Sequence, residues 1–246
     1  MLRAAAGLAR SLSIYRAPAH LRSLTAFCAD IAPGARLVFD IGAHAGDRVT
    51  AFRRLGADVV AVEPQRVMAA WLRARFALDP GATVVRAACG PAPGTARLAV
   101  NRANPTVSTL SEAFVEAARD APGWEGQRWD AAAETPVVTL DALIEAHGAP
   151  DFIKIDVEGY EAEVLAGLTR PIARPVPRLA FEVVTAARDA GLAALSRAEA
   201  LGFTRFRLTL GESHAWHGPE QNAAAMAETL RALPDAANSG DVICTR

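Results

Sequence analysis

LVFDIGAHAG, at Leu37–Gly46, joins a buried strand to a glycine turn and thereby decides the fold. Its first five residues form an apolar run that is interrupted only by Asp40 and stops at Gly42. A short apolar run ending at glycine is typical of a buried parallel strand followed by a tight turn. Residues 47–55 then have a helical pattern, so the turn leads to a helix N-terminus with unpaired N–H groups. This order predicts a nucleotide-binding α/β fold.

The spacing of the turn residues indicates the class of ligand. A dinucleotide site needs G-x-G-x-x-G, but His44 stands where the second glycine belongs, which disfavours backbone contact with a pyrophosphate. Asp40 ends the strand instead, and D-x-G-x-x-x-G resembles motif I of S-adenosylmethionine-dependent methyltransferases. In this interpretation Gly42 and Gly46 approach the amino-acid end of the ligand. The alternative is a glycine turn in some other α/β protein.

Length, charge and cysteine count restrict the fold and the partners. The chain has 246 residues, enough for one α/β domain with a sizeable core. Its 26 Lys and Arg nearly balance 27 Asp and Glu, which gives no electrostatic reason to expect nucleic acid or an anionic membrane as partner. The spacing of Cys28, Cys89 and Cys244 fits neither a zinc site nor a disulfide framework, and their odd number suits a reducing compartment. No apolar run is long enough to cross a bilayer, and we expect a cytoplasmic protein.

Residues 1–34 are interpreted as a helical extension of a domain formed by residues 35–246. Arginines recur among Ala, Leu and Ser with no acid before Asp30, which resembles an organellar transit peptide. Four apolar residues near helical spacing indicate instead that the segment packs on the domain and is not cleaved off as a transit peptide: Leu21, Leu24, Phe27 and Ile31. We therefore predict two Ala-rich helices, broken at Pro18, that pack on the domain.

Strand and helix patterns alternate through most of the chain, which predicts a parallel doubly wound sheet with helices on both faces. Six further strands are predicted, at 58–63, 82–88, 152–157, 177–184, 203–210 and 241–246. Helices are predicted at 65–78, 140–147, 159–168 and 187–201. Glu63 ends the second strand a little over twenty residues after the glycine turn, where such folds place a carboxylate for a ribose diol.

Two segments break the alternation. Residues 90–136 are punctuated by Pro and Gly and contain a short extra strand at 95–101. Residues 211–238 form a polar insert with His214 and His217, which are rival candidates for a general base. Because α/β folds bind ligands outside the carboxyl ends of their strands, we interpret both segments as substrate-side inserts.

One block is specific enough to indicate a family. TLDALIEAHGAPDFIKIDVEGYEAEVLAGL, at 139–168, resembles the hallmark of the FkbM methyltransferases: a T-L-D helix start, the strand I-K-I-D-V-E-G and a helix ending in L-x-G. Further family-like elements follow one another in order: DIGAHAGD at 40–47, VEP at 62–64, ACG at 88–90, STL at 108–110 and FEV at 181–183. The family usually has Asn at the position of His44. Since His also donates hydrogen bonds to carboxylates, we expect the cofactor site to be retained.

The resemblance implies a class I methyltransferase with a Rossmann-like, seven-stranded, mostly parallel sheet whose last strand is antiparallel. It implies methyl transfer from S-adenosylmethionine, usually to a hydroxyl of a sugar, glycan or polyketide-like natural product. The cofactor-binding residues that it implies are Asp40, Gly42, His44, Gly46, Glu63, Ala88, Cys89 and Asp156.

Lys154, Asp156 and Glu182 are the predicted catalytic residues. A protonated alcohol is a poor nucleophile, so a base or a metal must assist it. Asp156 ends the central strand, and Glu182 on the next strand is placed to share Lys154 with it. Because a buried Lys is costly unless paired, a structural ion pair is the alternative role for Lys154 and Glu182. A divalent metal held by Asp156, Glu158 and Glu182 is a further alternative.

Two functions of other classes are weighed against methyl transfer. A cofactor-binding module without activity would not need Asp40, Gly42, Glu63 and Asp156 together. An NAD-dependent oxidoreductase is disfavoured by the missing G-x-G-x-x-G.

Overall fold

The computed structural model describes residues 2–170 and 178–246. The strands are β1 (Leu37–Ile41), β2 (Asp58–Val62), β3 (Ala82–Val85), β4 (Ala88–Cys89), β5 (Gly94–Val100), β6 (Ala131–Val138), β7 (Phe152–Ile155), β8 (Arg178–Val184), β9 (Arg205–Leu210), β10 (Ala215–Gln221) and β11 (Ser239–Thr245). The helices are α1 (Leu2–Tyr15), α2 (Pro18–Ile31), α3 (Asp47–Arg54), α4 (Arg66–Arg75), α5 (Glu112–Arg119), α6 (Leu140–His147), α7 (Glu161–Ala166), α8 (Arg188–Ala200) and α9 (Ala223–Ala232).

The main sheet is mostly parallel, as predicted, but within the described ranges it has eight strands instead of seven. Their order is β10-β9-β11-β8-β7-β1-β2-β3. The last strand, β11, is antiparallel to both of its neighbours, as the resemblance implied. The additional strand, β10, lies at the edge and is antiparallel to β9.

The missed strand β10 lies in the segment 211–238, which was interpreted as a polar insert. Its sequence, AWHGPEQ, is mostly exposed and contains Gly218 and Pro219, which weaken a strand pattern. Proline is tolerated in edge strands because the missing N–H then faces solvent. The same segment contains α9, which buries Met226 and Leu230, one helical turn apart.

The strand predicted at 82–88 is split between two sheets. β3 ends at Val85, and β4 pairs with β6 in a second, three-stranded sheet of order β4-β6-β5. β5 confirms the extra strand expected at 95–101, but β6 was not predicted. An Ala run has weak strand propensity and Pro136 lacks a donor, so the sequence of β6 gives little indication of a strand.

Helices cover both faces of the main sheet, as predicted. Phe39 and Ile41 face a core formed with α6, α7, α8 and α9. Val38, which precedes Phe39 in the strand, faces the opposite core, formed with α2, α3 and α4. This division follows from the alternation of side chains along a strand.

The two N-terminal helices that the sequence predicted are present. α2 buries its predicted apolar residues, Leu21, Leu24, Phe27 and Ile31. α1 packs against the turn at 105–107, where Gly7 allows close approach: a Cβ there would overlap the carbonyl oxygen of Arg102. In the part of the chain that the structure describes, no helix combines the length and apolar character needed to span a membrane.

Candidate active site

An apolar cleft of about 490 Å³, partly open to solvent, lies at the carboxyl ends of β1 and β2. We call it the apolar cleft. The residues that define its walls are Ile41, Val62, Ala88, Cys89, Leu98 and Tyr160. Ala88 and Cys89, two of the predicted cofactor-binding residues, are buried in these walls.

Glu63 lies at the edge of the apolar cleft with its carboxyl group held in one orientation. Its Oε2 accepts a hydrogen bond from the backbone N–H of His44 at 2.9 Å, and its Oε1 accepts one from Gln65 at 2.7 Å. Burial raises the pKa of Glu63 to about 7, although these two N–H groups oppose the shift. Since a carboxylate has about four acceptor sites, its remaining lone pairs can bind the two hydroxyls of a diol.

Two positions of the turn after β1 require glycine because other parts of the protein pack closely against them. Gly42 has φ +87°, and a Cβ there would overlap the main-chain carbonyl oxygen of Asp156. Gly46 has φ +76°, and its Cβ would lie 2.5 Å from a methyl group of Leu72 on α4. The space that a Cβ of either glycine would need is filled by protein, and the assignment of both glycines to the cofactor stays a prediction. Gly42 also lines the apolar cleft, whereas Gly46 lies against α4.

His44 occupies a strained turn position with φ +43°. Its backbone N–H, and not its ring, makes the contact with Glu63. The ring is in edge contact with Tyr15 of α1, and Nε2 of His44 is buried without a hydrogen-bond partner in the part of the chain that the structure describes. Burial lowers the pKa of His44, so the ring is neutral at pH 7.

Asp40 is 1% exposed, and its Oδ2 has no hydrogen-bond partner within residues 2–170 and 178–246. Burial raises the pKa of Asp40 to about 7, against the opposing charge of Arg48. A buried carboxyl group with an unpartnered oxygen is costly, and such groups are typical of binding sites.

A second cleft, of about 570 Å³, adjoins the apolar cleft. We call it the acidic cleft, because five carboxyl groups line it: Asp40, Asp47, Asp156, Glu158 and Glu182. Arg48 lines it as well. Asp156 lines both clefts, as do Gly42 and His44. Asp156 therefore lies at the junction of an apolar site and an acidic site.

Two cations hold Asp156 in its ionised form. Its Oδ2 is 3.3 Å from Nζ of Lys154 and 3.4 Å from Nη2 of Arg48. Burial by itself would raise the pKa of Asp156, but the charges of Lys154 and Arg48 outweigh it and lower the pKa to about 2. Asp156 is therefore a carboxylate at neutral pH.

Among the described residues, Asp241 forms the shortest ion pair with Lys154. This residue was not identified from the sequence. Its Oδ1 lies 2.6 Å from Nζ of Lys154, and its Oδ2 lies 3.3 Å from Nη2 of Arg48. β11 brings it there, since the strand runs beside β8 with Asp241 opposite Glu182. The sequence feature that could have indicated Asp241 is an acid at the start of the predicted final strand. Asp156 and Glu182 were the two acids predicted to pair with Lys154, and Asp156 forms an ion pair with it.

Glu158 and Glu182 lie beside Asp156 in the acidic cleft. Burial, and next the charge of Asp156, raise the pKa of both groups well above the ordinary value for Glu. The three residues each offer an oxygen atom within 4.8 Å of the others. This spacing is compatible with the alternative of a divalent cation held by the three residues.

The contacts of the loop after β7 explain why its sequence is DVEGYE, at residues 156–161. Oε1 of Glu161 accepts hydrogen bonds from the N–H groups of Val157 and Gly159, and Thr109 donates to the carbonyl oxygen of Glu158 at 2.7 Å. Gly159 has φ +85°, and a Cβ there would lie 2.9 Å from Phe114. These contacts fix the turn that presents Asp156 and Glu158, and sequence reasoning had not assigned roles to Glu161 or Thr109.

His214 and His217 were predicted from the sequence as rival bases. His214 stacks on Phe27 of α2 with ring centroids 4.5 Å apart, and burial lowers its pKa to about 4. His217 is exposed on β10. Neither residue lines the apolar or the acidic cleft.

Comparison with known proteins decides the family. The family model described as the methyltransferase FkbM domain matches residues 40–233. The chain belongs to the FkbM methyltransferase family. It is therefore an S-adenosylmethionine-dependent methyltransferase, which speaks against the oxidoreductase alternative.

The FkbM chain is also similar in fold to solved methyltransferase structures. The O-methyltransferase of Bacillus cereus, solved with SAH, has 12% identity and a TM-score of 0.50, with 98% of this chain and 90% of that chain covered. Precorrin-6y C5,15-methyltransferase of Geobacter metallireducens has 12% identity and a TM-score of 0.46, with 90% and 85% covered. An Archaeoglobus fulgidus SAM-dependent methyltransferase has 12% identity and a TM-score of 0.45, with 96% and 98% covered. No curated protein matches the chain.

The residues of this FkbM domain fit S-adenosylmethionine. The unpartnered Oδ2 of buried Asp40 suits a ligand that carries an ammonium group. The free lone pairs of Glu63 suit a ribose diol, and the apolar walls that include Ala88 and Cys89 suit an adenine ring. The assignment of these residues to the cofactor stays a prediction.

Glu63→Ala is expected to weaken binding of S-adenosylhomocysteine by about 1–3 kcal/mol, roughly 5- to 150-fold, because it removes charge-assisted hydrogen bonds. Calorimetric titration measures the change. Glu63→Gln retains one acceptor oxygen and should lose less. Glu134→Gln, on an exposed part of β6, is the matched control and should bind like the wild type. An unchanged dissociation constant in Glu63→Ala would remove Glu63 from the cofactor site.

Proposed function

We propose that this methyltransferase transfers the methyl group to a hydroxyl oxygen of a sugar, glycan or polyketide-like acceptor. The observation that carries the proposal is the position of Asp156, an ionised carboxylate at the junction of the apolar and acidic clefts. In this proposal the apolar cleft binds the cofactor and the acidic cleft binds the acceptor.

S-adenosylmethionine supplies a methyl carbon that is already electrophilic. The chain's own residues must therefore orient the acceptor hydroxyl and receive its proton. A carboxylate with a pKa of about 2 is a weak base, so Asp156 acts mainly by accepting a hydrogen bond that orients the hydroxyl. Glu182 and Glu158 have raised pKa values, and their ionised forms are stronger bases. We assign the proton to Glu182, which was predicted as catalytic.

The charge of the acidic cleft also favours an uncharged acceptor. Two of its carboxyl groups, those of Asp47 and Asp156, have lowered pKa values, and their negative charges would repel the phosphates of a nucleic acid. Hydroxyl groups, by contrast, can donate to carboxylates and accept from protonated carboxyl groups. A polyhydroxylated small molecule or glycan therefore fits the cleft better than a nucleic acid.

Methyl transfer should survive EDTA and should increase with pH as Glu182 ionises. Lys154 and Arg48 already contact Oδ2 of Asp156, and their charges oppose binding of a divalent cation beside it. The rate of S-adenosylhomocysteine formation, measured with and without EDTA over a series of pH values, tests this. Loss of activity in EDTA with recovery in magnesium would show instead that Asp156, Glu158 and Glu182 hold a metal.

A panel of acceptors tests the proposed function. The panel contains methyl glycosides of hexoses and of 6-deoxyhexoses, together with amino and thio analogues in which one hydroxyl is replaced. We expect formation of S-adenosylhomocysteine with at least one glycoside that has a free hydroxyl. Turnover of the amino or thio analogues alone would contradict O-methylation.

A further inference from the structure

Helix α1 forms one wall of a third cleft, of about 690 Å³, that continues outward from the acidic cleft. We call it the outer cleft. Glu158, Glu182, Tyr15 and Thr106 line both the acidic and the outer cleft. Thr106 also lines the apolar cleft, so the three clefts form one continuous path. A ligand that reaches Asp156 through the outer cleft therefore passes α1.

α1 is docked against the path by specific contacts. Gly7 lies so close to the turn at 105–107 that a Cβ would come within 2.9 Å of Cδ of Pro105. At the other end of the helix, the ring of Tyr15 contacts the ring of His44 with centroids 5.4 Å apart. Nε2 of His20, at the start of α2, lies 2.8 Å from Oδ2 of Asp47 beside the glycine turn. The FkbM match begins at residue 40, so α1 lies outside the matched segment.

The walls of the outer cleft carry many uncharged hydrogen-bonding groups. The hydroxyl and amide side chains among its lining residues are Ser11, Tyr15, Asn104, Thr106, Asn238 and Ser239. Trp124 also lines the cleft; it is 6% exposed, and its Nε1 is buried without a hydrogen-bond partner among the described residues. Hydroxyl and amide groups beside aromatic rings match a ligand that combines many hydroxyls with an apolar ring face, as a pyranoside does.

We propose that α1 completes the acceptor site, and that Ser11 and Tyr15 are specificity-determining residues that bind a glycoside in the outer cleft. This inference rests on the proposed O-methylation, because it assumes that the acceptor reaches Asp156 through the acidic cleft. Ser11 is suited to the role, since it is 3% exposed and lines the cleft although it belongs to a surface helix. Recognition by α1 extends the acceptor site beyond the residues of the FkbM match.

A matched pair of substitutions on α1 tests the inference. Ser11→Ala removes a hydroxyl from the cleft, whereas Ser13→Ala removes one from the exposed face of the same helix. With a methylated glycoside of the panel, Ser11→Ala should raise KM about 2- to 10-fold with little change in kcat, as expected for loss of one neutral hydrogen bond. Tyr15→Ala should raise KM at least as much. Ser13→Ala should behave like the wild type, and all three should bind S-adenosylhomocysteine normally.

Hydrogen–deuterium exchange gives a second readout that needs no turnover. The panel glycosides, added with S-adenosylhomocysteine, should slow exchange in residues 6–15, and Ser11→Ala should reduce this protection. Protection without methylation of any glycoside would support the inference and contradict the proposed function. Methylation without protection of α1, or with KM unchanged in Ser11→Ala and Tyr15→Ala, would overturn the inference and leave the proposed function intact. If neither protection nor methylation is observed, both the inference and the proposed function are overturned.

Discussion

Asp156→Asn is expected to lower kcat at least about 100-fold while the affinity for S-adenosylhomocysteine stays close to that of the wild type. The amide keeps the shape of the side chain but loses the charge that orients the acceptor hydroxyl beside Glu182. Losses of about 100- to 10,000-fold are usual when a positioned acid–base group is removed. Burst and steady-state measurements on one glycoside acceptor, with calorimetry for the cofactor product, separate the two effects.

The substitution should leave the fold intact, which makes the kinetic result interpretable. Lys154 and Arg48 both keep Asp241 as a partner when Asp156 is neutral. Asp189→Asn, on the exposed first turn of α8, is the matched control and should retain full activity. Wild-type kcat in Asp156→Asn would exclude both the orienting role and the metal-ligand role of this residue.

Lys154→Met should lower the free energy of unfolding by about 3–5 kcal/mol, because it removes the closest cation of the buried carboxylate of Asp241. The Lys154 side chain is 2% exposed, and that of its partner Asp241 is 9% exposed. Arg48 remains, but at 3.3 Å it must serve Asp241 and Asp156 together. Urea denaturation monitored by circular dichroism measures the loss. The variant should still fold in the absence of denaturant and bind S-adenosylhomocysteine.

A second substitution distinguishes a structural from a catalytic role for Lys154. Lys154→Met combined with Asp241→Leu removes both members of the 2.6 Å pair, so it should be more stable than the sum of the two single losses predicts. If Lys154→Met instead unfolds at the wild-type urea concentration while turnover collapses, the residue is catalytic and the structural role is excluded.

The central part of the fold was predictable because its strands are short apolar runs bounded by turn residues. Thr139, the first residue of the T-L-D helix start, caps α6, since its side chain accepts a hydrogen bond from the N–H of Ala142. β10 and β6 were missed because Pro219 and Pro136 interrupt them and few of their side chains are buried. Such edge and surface strands depend on their neighbours, which no local pattern records.

The acidic residues of the site were predictable from one rule, that strand ends of an open α/β sheet meet at the ligand. The rule brought Asp156 and Glu182 together, and they do lie in one cleft. It could not supply Asp241, which is 87 residues from Lys154 in sequence, or its contact with Arg48 across 193 residues. Those contacts depend on the position of β11 in the sheet, which is a property of the assembled fold.

The most direct test of the central claim is to follow the methyl carbon itself. Wild type and Asp156→Asn are each incubated with S-adenosylmethionine labelled with ¹³C in the methyl group and with the glycoside panel, and the products are examined by carbon NMR. The account predicts an O-methyl resonance in the wild-type product that is nearly absent with Asp156→Asn. A label on nitrogen or carbon, equal labelling by the two proteins, or no labelled product from the wild type would contradict it.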